Sequence, residues 1–256
     1  MSETGRNQPM HQPLVENSGG TADIVLVCEH ASHAIPEALN GLGLAPGDEF
    51  SHAAWDPGAL AVARAMSAAL DAPLVSARIS RLVHDCNRPA GAPEAMPART
   101  ETIEVPGNAG LTEADRAERA RLYYTPFHEA LERVLDARPG PAALVTVHSF
   151  TPFWHGVPRE VELGILHDSD ARLADALLDR AAAGTGLRLA RNEPYGPEDG
   201  VTHTLREHGV AKGRANVMLE IRNDLIADAP AQGRLGEMLA ACLREALDDL
   251  GRGAAA

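Results

Sequence analysis

Ile24-Val25-Leu26-Val27-Cys28-Glu29-His30-Ala31-Ser32-His33 changes character within one residue. Its first half is a continuous apolar run of strand length, the pattern of a strand buried on both faces of a sheet. Its second half is polar and titratable. Similar buried runs recur at Leu74-Val75-Ser76, Ala143 to Val147, Val161 to Leu166 and Val217 to Ile221. Helical patterns lie between them. Asp56-Pro57 reads as an N-cap and first-turn pair opening a helix to about Leu70. Thr112 opens a longer helix to about Ala137, bent at Pro126. Ser169 caps a helix to about Ala183, Asp199 a short one ending at Gly209, and Pro230 starts a last one to about Leu250. This alternation predicts a three-layer α/β/α sandwich around a central, mainly parallel or mixed sheet. Ligands of such sheets bind beyond the carboxyl ends of the strands, so the residues after each buried run carry the functional reading.

The chain has 256 residues, 45% of them apolar, enough for one substantial core. Residues 1–21 are polar and read as a disordered lead-in, residues 22–251 as one catalytic domain, and Arg252 to Ala256 as a frayed tail. A formal net charge of -13 repels phosphate backbones and anionic lipid heads, which argues against nucleic-acid and membrane partners. It does not exclude a small anionic substrate in a locally positive pocket. The three cysteines, Cys28, Cys86 and Cys242, have no disulfide or four-cysteine zinc spacing. With no signal-peptide pattern and no apolar segment near the roughly 18 residues of a membrane span, a reducing cytoplasm is the expected compartment.

The strand ends are rich in chemistry. Glu29, His30 and His33 follow the first run, and His148-Ser149-Phe150 follows the middle one. Glu220, Arg222 and Asp224 lie on or after the last, with Arg81, Asp85, Asn87 and Arg88 near the second. Imidazoles with carboxylates suit a divalent metal that keeps one position open to water, while arginines offer a planar fork for a substrate carboxylate. A carboxylate beside the metal would carry the proton from water to a leaving amine.

These segments resemble the N-formylglutamate amidohydrolase family. The resemblance runs through Cys28-Glu29-His30-Ala31-Ser32, Ile35-Pro36, His52, Trp55-Asp56 and Gly58-Ala59. It continues in Ser80-Arg81-Leu82, Asp85, Asn87-Arg88 and His148-Ser149-Phe150-Thr151-Pro152, then in Asn192-Glu193-Pro194-Tyr195 and Leu219 to Ile226. The family is similar in fold to zinc peptidoglycan amidases and, more distantly, zinc carboxypeptidases. The resemblance implies a Zn2+ held by His30, Asp56 and His148, with Glu220 as general base and Arg81 polarising the scissile carbonyl. It further implies Asn87 and Arg88 as the grip on a substrate carboxylate, with Arg222 orienting Glu220 or binding substrate. Tyr195, in a proline-bearing loop, reads equally as a residue that closes over substrate or as one that simply packs. The implied reaction is hydrolysis of a small N-formyl or N-acyl amino acid, N-formyl-L-glutamate first among them. The His-x-x-Glu metal motif of carboxypeptidases is absent, because position 33 is His.

Each residue also has a structural reading. Asp56 before Pro57 is an ordinary helix cap, and were it only that, Glu29 or His33 would complete the metal site. Asp85 between Arg81 and Arg88 reads first as a loop fastener, Asn87 as a turn former, and Glu220 with Arg222 as a buried ion pair. His52 reads as a partner of Asp56. His33, His84, His128, His155 and His167 read as loop or surface residues, and His203 and His208, five apart, lack helical metal spacing. The rival functions are an amidase for another N-acyl amino acid or a cell-wall amide, and a binding protein that keeps the pocket without turnover.

Overall fold

In the computed structural model, residues 11–100 and 102–254 are described, with side chains to residue 251. In chain order they form β1 (Leu14–Glu16), β2 (Ile24–Cys28), α1 (Ala59–Leu70), β3 (Leu74–Ser76), α2 (Glu113–Arg119), α3 (Thr125–Asp136) and β4 (Ala143–Phe150). There follow β5 (Phe153–Trp154), β6 (Val157–Pro158), β7 (Leu163–Leu166), α4 (Arg172–Gly184), β8 (Leu189–Arg191), β9 (Asn216–Arg222) and α5 (Ala229–Ala254). One sheet has the order β1-β3-β2-β4-β9-β7-β8, and β5 and β6 form a separate hairpin. The strands β3, β2, β4 and β9 run parallel, whereas β1 and β7 run antiparallel to their neighbours β3 and β9. The sheet is therefore mixed, with helices on both faces, as the alternating pattern requires.

Period-two alternation divides the core. Leu26, Cys28, Val145, Val147, Leu219 and Ile221 face α1, α4 and α5. Val25, Val27, Leu144 and Met218 face Phe127 and Leu131 of α3 and Leu205. A third cluster, with Leu42, Ile79, Leu82 and Val105, lies under the long loops before and after α1. Strands buried on both faces cannot alternate apolar with polar, which is why they read as unbroken apolar runs.

Several boundaries differ from the sequence reading. Residues 14–16 are not a lead-in: they pair with β3, with Leu14 opposite Ser76, because that edge accepts one more strand. Residues 1–10 lie outside the described residues. The frayed tail is likewise shorter, since α5 continues to Ala254. The bend expected at Pro126 lies just ahead of it, in a widened turn where Thr125 N donates to Ala120 O. Proline then occupies the first turn of α3, where its missing N–H costs little. Asp56 does not cap α1. Gly58, at φ 84°, precedes the first helical residue, and a Cβ there would lie 2.7 Å from Ile226 O. The tight Pro57-Gly58 turn delays the helix and frees the Asp56 carboxylate for another use. Ser169 does not cap α4 either; the Asp170 carboxylate accepts from Arg172 N at 3.1 Å. Asp199 accepts from Gly196 N at 2.9 Å, closing a turn rather than opening the helical segment that ends at Gly209.

Candidate active site

Three parallel strands end at one rim of the sheet, and each delivers a titratable side chain there. His30 follows β2, while His148 and Glu220 lie near the ends of β4 and β9 as a registered pair. The middle strand runs to Phe150, so His148 is part of it rather than beyond it. Asp56 reaches the same point from the turn before α1. Its backbone N donates to His30 O at 3.0 Å, which locks the two segments together.

The three side chains converge. His30 Nδ1 lies 3.2 Å from His148 Nδ1, and Asp56 Oδ2 lies 3.2 Å from the first and 2.9 Å from the second. A zinc ion with bonds of about 2.0–2.1 Å would set neighbouring donor atoms about 3.3 Å apart, close to this triangle. The far nitrogens explain why the near ones can act as ligands. His30 Nε2 faces Asp85 Oδ1 at 2.7 Å, and His148 Nε2 faces Glu29 Oε2 at 3.0 Å. With each Nε2 facing a buried carboxylate, the two Nδ1 atoms point at one another and at Asp56. Nitrogens so placed repel unless a proton or a metal cation lies between them, and a carboxylate behind each ring favours either. His30, Asp56 and His148 are thus a group able to hold a metal ion.

Electrostatics agree. Burial alone would lower the pKa of both imidazoles, but Glu29 and Asp56 raise His148 well above its ordinary value, and Asp85 and Asp56 raise His30. Burial would raise the carboxylates, yet His30 and His148 hold Asp56 well below its usual range, and His30 and Arg81 do the same for Asp85. The site is built to stabilise positive charge. Glu220 is the exception: burial, reinforced by Asp56, pushes it up to about 7. Its Oε2 is buried without a hydrogen-bond partner. A carboxyl poised near neutrality and aimed into a cavity suits proton transfer.

The cavity in front of these groups has a volume of about 450 Å³ and is also lined by Arg81, Arg88, Asn87, Trp154 and Tyr195. Arg81 donates to Asp85 Oδ2 at 3.1 Å and approaches Asp56 Oδ1 at 3.5 Å. Arg88 donates to the Asp199 carbonyl at 2.5 Å. Asn87 lines the wall, but its amide is occupied: Nδ2 donates to Val201 O at 2.5 Å, and Oδ1 accepts from Thr204 N at 3.0 Å. It fastens two loops, and the arginine beside it remains the available half of the expected pair. Arg222 is not brought to the site. It turns outward to Asp224 at 2.8 Å and Glu162 at 3.3 Å, because β9 has already passed the rim.

Of the alternative ligands, Glu29 stands behind His148, and the His33 ring packs between Phe50 and Trp55, each 5.0 Å away. Asp56 is the residue that completes the triangle. His52 Nδ1 lies 3.6 Å from Asp56 Oδ1. Asp85 does more than fasten a loop, since it carries His30 as well as Arg81. Sequence reasoning missed this, and also missed Trp154 and Arg159. The signal for Asp85 was its place after Arg81 on a loop already holding site residues; nothing local marked the other two. His128, expected in a loop or at the surface, is buried on α3, and His84 lies in a loop as expected but is buried there.

Residues 22–227 match the sequence model of the N-formylglutamate amidohydrolase family. No curated protein matches the chain. A gene product of Agrobacterium tumefaciens is similar at 50% identity and TM-score 0.90, over 94% of this chain and 96% of that one. An N-formylglutamate amidohydrolase from Ralstonia eutropha JMP134 is similar at 21% identity and TM-score 0.62, over 95% and 99%, a likeness of fold.

Proposed function

Because the chain belongs to the N-formylglutamate amidohydrolase family, we propose that it hydrolyses the amide bond of a small N-formyl or N-acyl amino acid with one divalent cation, zinc, held by His30, Asp56 and His148. The observation that carries this reading is the convergence of three lone-pair donors at 2.9–3.2 Å, each imidazole backed by a buried carboxylate. When bound, zinc supplies Lewis acidity toward the scissile carbonyl and a lowered pKa for water. Glu220 accepts a proton from the attacking water as the new C–O bond forms, then returns it to the nitrogen as the C–N bond breaks. Arg81, held by Asp85 and Asp56, presents its guanidinium to the carbonyl oxygen where negative charge develops. Arg88 pairs with the substrate carboxylate, and Tyr195 closes one wall. The products are a carboxylic acid, formate from a formyl substrate, and a free amino acid.

N-formyl-L-glutamate, the substrate in the family's name, is the first compound to assay. Zinc-loaded protein should release formate from an N-formyl amino acid, and protein stripped by a chelator should not until zinc is restored. Equal rates with and without metal would overturn the reading.

No helix among the described residues is long and apolar enough to cross a membrane.

A further inference from the structure

Three arginines line the cavity, and two of them stand beside carboxylates. Arg81 is committed to Asp85 and Asp56. Arg99, at the rim with its side chain 74% exposed, pairs with Glu104 at 3.2 Å. Arg88 differs, since its guanidinium bonds a main-chain carbonyl and has no carboxylate at ion-pair distance among the described residues. Away from the metal-ligand group, Glu94 and Asp199 also line the space and disfavour a second anion beside them. One uncommitted cation matches one substrate carboxylate. A second carboxylate, such as a glutamate side chain carries, would enter without a partner, and an unpaired charge in a partly desolvated cavity is costly.

Beside the polar Asn87, Thr100 and Ser149, the wall carries a set of apolar and aromatic groups. Trp154, on the β5–β6 hairpin, and Tyr195 stand on one side, with Leu82, Pro97 and Val201 elsewhere around the space. Arg159 holds the two rings from behind. Its guanidinium lies 4.8 Å from the Trp154 ring and 5.0 Å from that of Tyr195, and it donates to the Tyr195 hydroxyl at 3.0 Å. It is not among the lining groups, and its charge is spent on the ring faces. Trp154 stays 37% exposed, an indole presented at the cavity edge. At about 450 Å³ the space falls within the range of about 300–1,000 Å³ usual for small-ligand sites.

We infer that the preferred substrates carry a single carboxylate and a large apolar or aromatic side chain, as in N-formylphenylalanine or N-formylleucine, rather than a second carboxylate. This rests on the amidase reading of the site. Arg88 takes the lone carboxylate, and the side chain packs against Trp154 and Tyr195.

The test compares N-formyl-L-phenylalanine with N-formyl-L-glutamate on the zinc-loaded full chain in two ways. Formate release gives kcat/KM, and calorimetry on the Glu220→Gln protein gives Kd without turnover. Both ratios should favour the phenylalanine compound by at least tenfold, and Trp154→Ala should shrink each ratio severalfold. Equal or better performance of the glutamate compound in binding overturns the inference, as does failure of both to bind. Hydrolysis led by the glutamate compound would keep the amidase reading and remove this one. Selective binding of the phenylalanine compound with no turnover by wild-type protein would do the reverse.

Discussion

Two groups of buried histidines share this molecule, and their chemistry runs in opposite directions. In one, His30 and His148 meet at their Nδ1 atoms, with Asp85, Glu29 and Asp56 around them, and both pKa values are raised. In the other, His128 Nδ1 bonds His208 Nε2 at 2.7 Å, and His128 Nε2 donates to the Cys86 carbonyl at 2.9 Å. Those two rings stack with centroids 5.0 Å apart, and His203 bonds the Tyr124 hydroxyl at 2.8 Å. Here burial, reinforced by His208, pushes His128 down to about 3, and burial lowers His203 and His208 as well. Proximity of imidazoles is common to both groups. What separates them is where the nitrogens are spent. In the second group the nitrogens are spent on one another, on a main-chain carbonyl and, for His208 Nδ1, on Glu132 at 3.0 Å. In the first, the two carboxylate-backed rings turn their remaining nitrogens toward a common point shared with Asp56.

The contrast can be broken most sharply at the ligands. His148→Ala should abolish stoichiometric zinc, read by elemental analysis, and lower turnover by about 10³-fold or more, since the cation contributes several kcal/mol to the transition state. His128→Ala, in the other group, should leave metal content unchanged. Loss of zinc in both would erase the distinction drawn here.

Glu220→Gln should separate chemistry from metal binding. The protein should keep its zinc and lose about 10²- to 10⁴-fold in kcat, the range of a general acid–base contribution. A fully active variant would reject Glu220 as the proton carrier.

The second group should show itself in acid. Below a pH of about 6.5 the unfolded chain protonates His128, whereas the folded chain keeps it neutral down to about 3. The stability tied to the neutral ring is therefore complete above that window and is lost as pH falls through it. Denaturant unfolding at pH 7 and pH 4 should show wild type losing about 3 kcal/mol more than His128→Gln, at 1.36 kcal/mol per pH unit. Equal losses would mean that the ring is not held neutral.

The smallest effect should come from behind the ligand. Glu29→Gln keeps an acceptor for His148 Nε2–H but removes the charge. Zinc affinity should fall about 10- to 100-fold, with turnover largely recovered at saturating zinc. Competition with a chromogenic chelator measures the affinity.

Much of this site was legible in the residue order. His30 and His148 announced themselves by following buried runs, and Glu220 by interrupting one, because carboxylates and imidazoles at strand ends have few purely structural uses. Asp56 was ambiguous, since Asp-Pro also describes a helix start; only the left-handed Gly58 turn, pressed against Ile226, shows that the cap position lies two residues later. Arg222 was misplaced for the opposite reason. Alternation puts it on the same side of β9 as Glu220, but it lies past the rim, where Glu162 and Asp224 claim it. The Trp154 and Arg159 wall had no signal at all, because a two-residue hairpin leaves no periodicity to read.

By itself the sequence determined the order of buried strands, the helices between them and the residue types at their ends, because a strand covered on both faces must be apolar throughout. Tertiary structure alone decided which nitrogen of each histidine faces the common point, which carboxylates stand behind the other nitrogen and which cavity arginine has no carboxylate at ion-pair distance among the described residues. Those are matters of contacts between residues distant in the chain, and no local pattern records them.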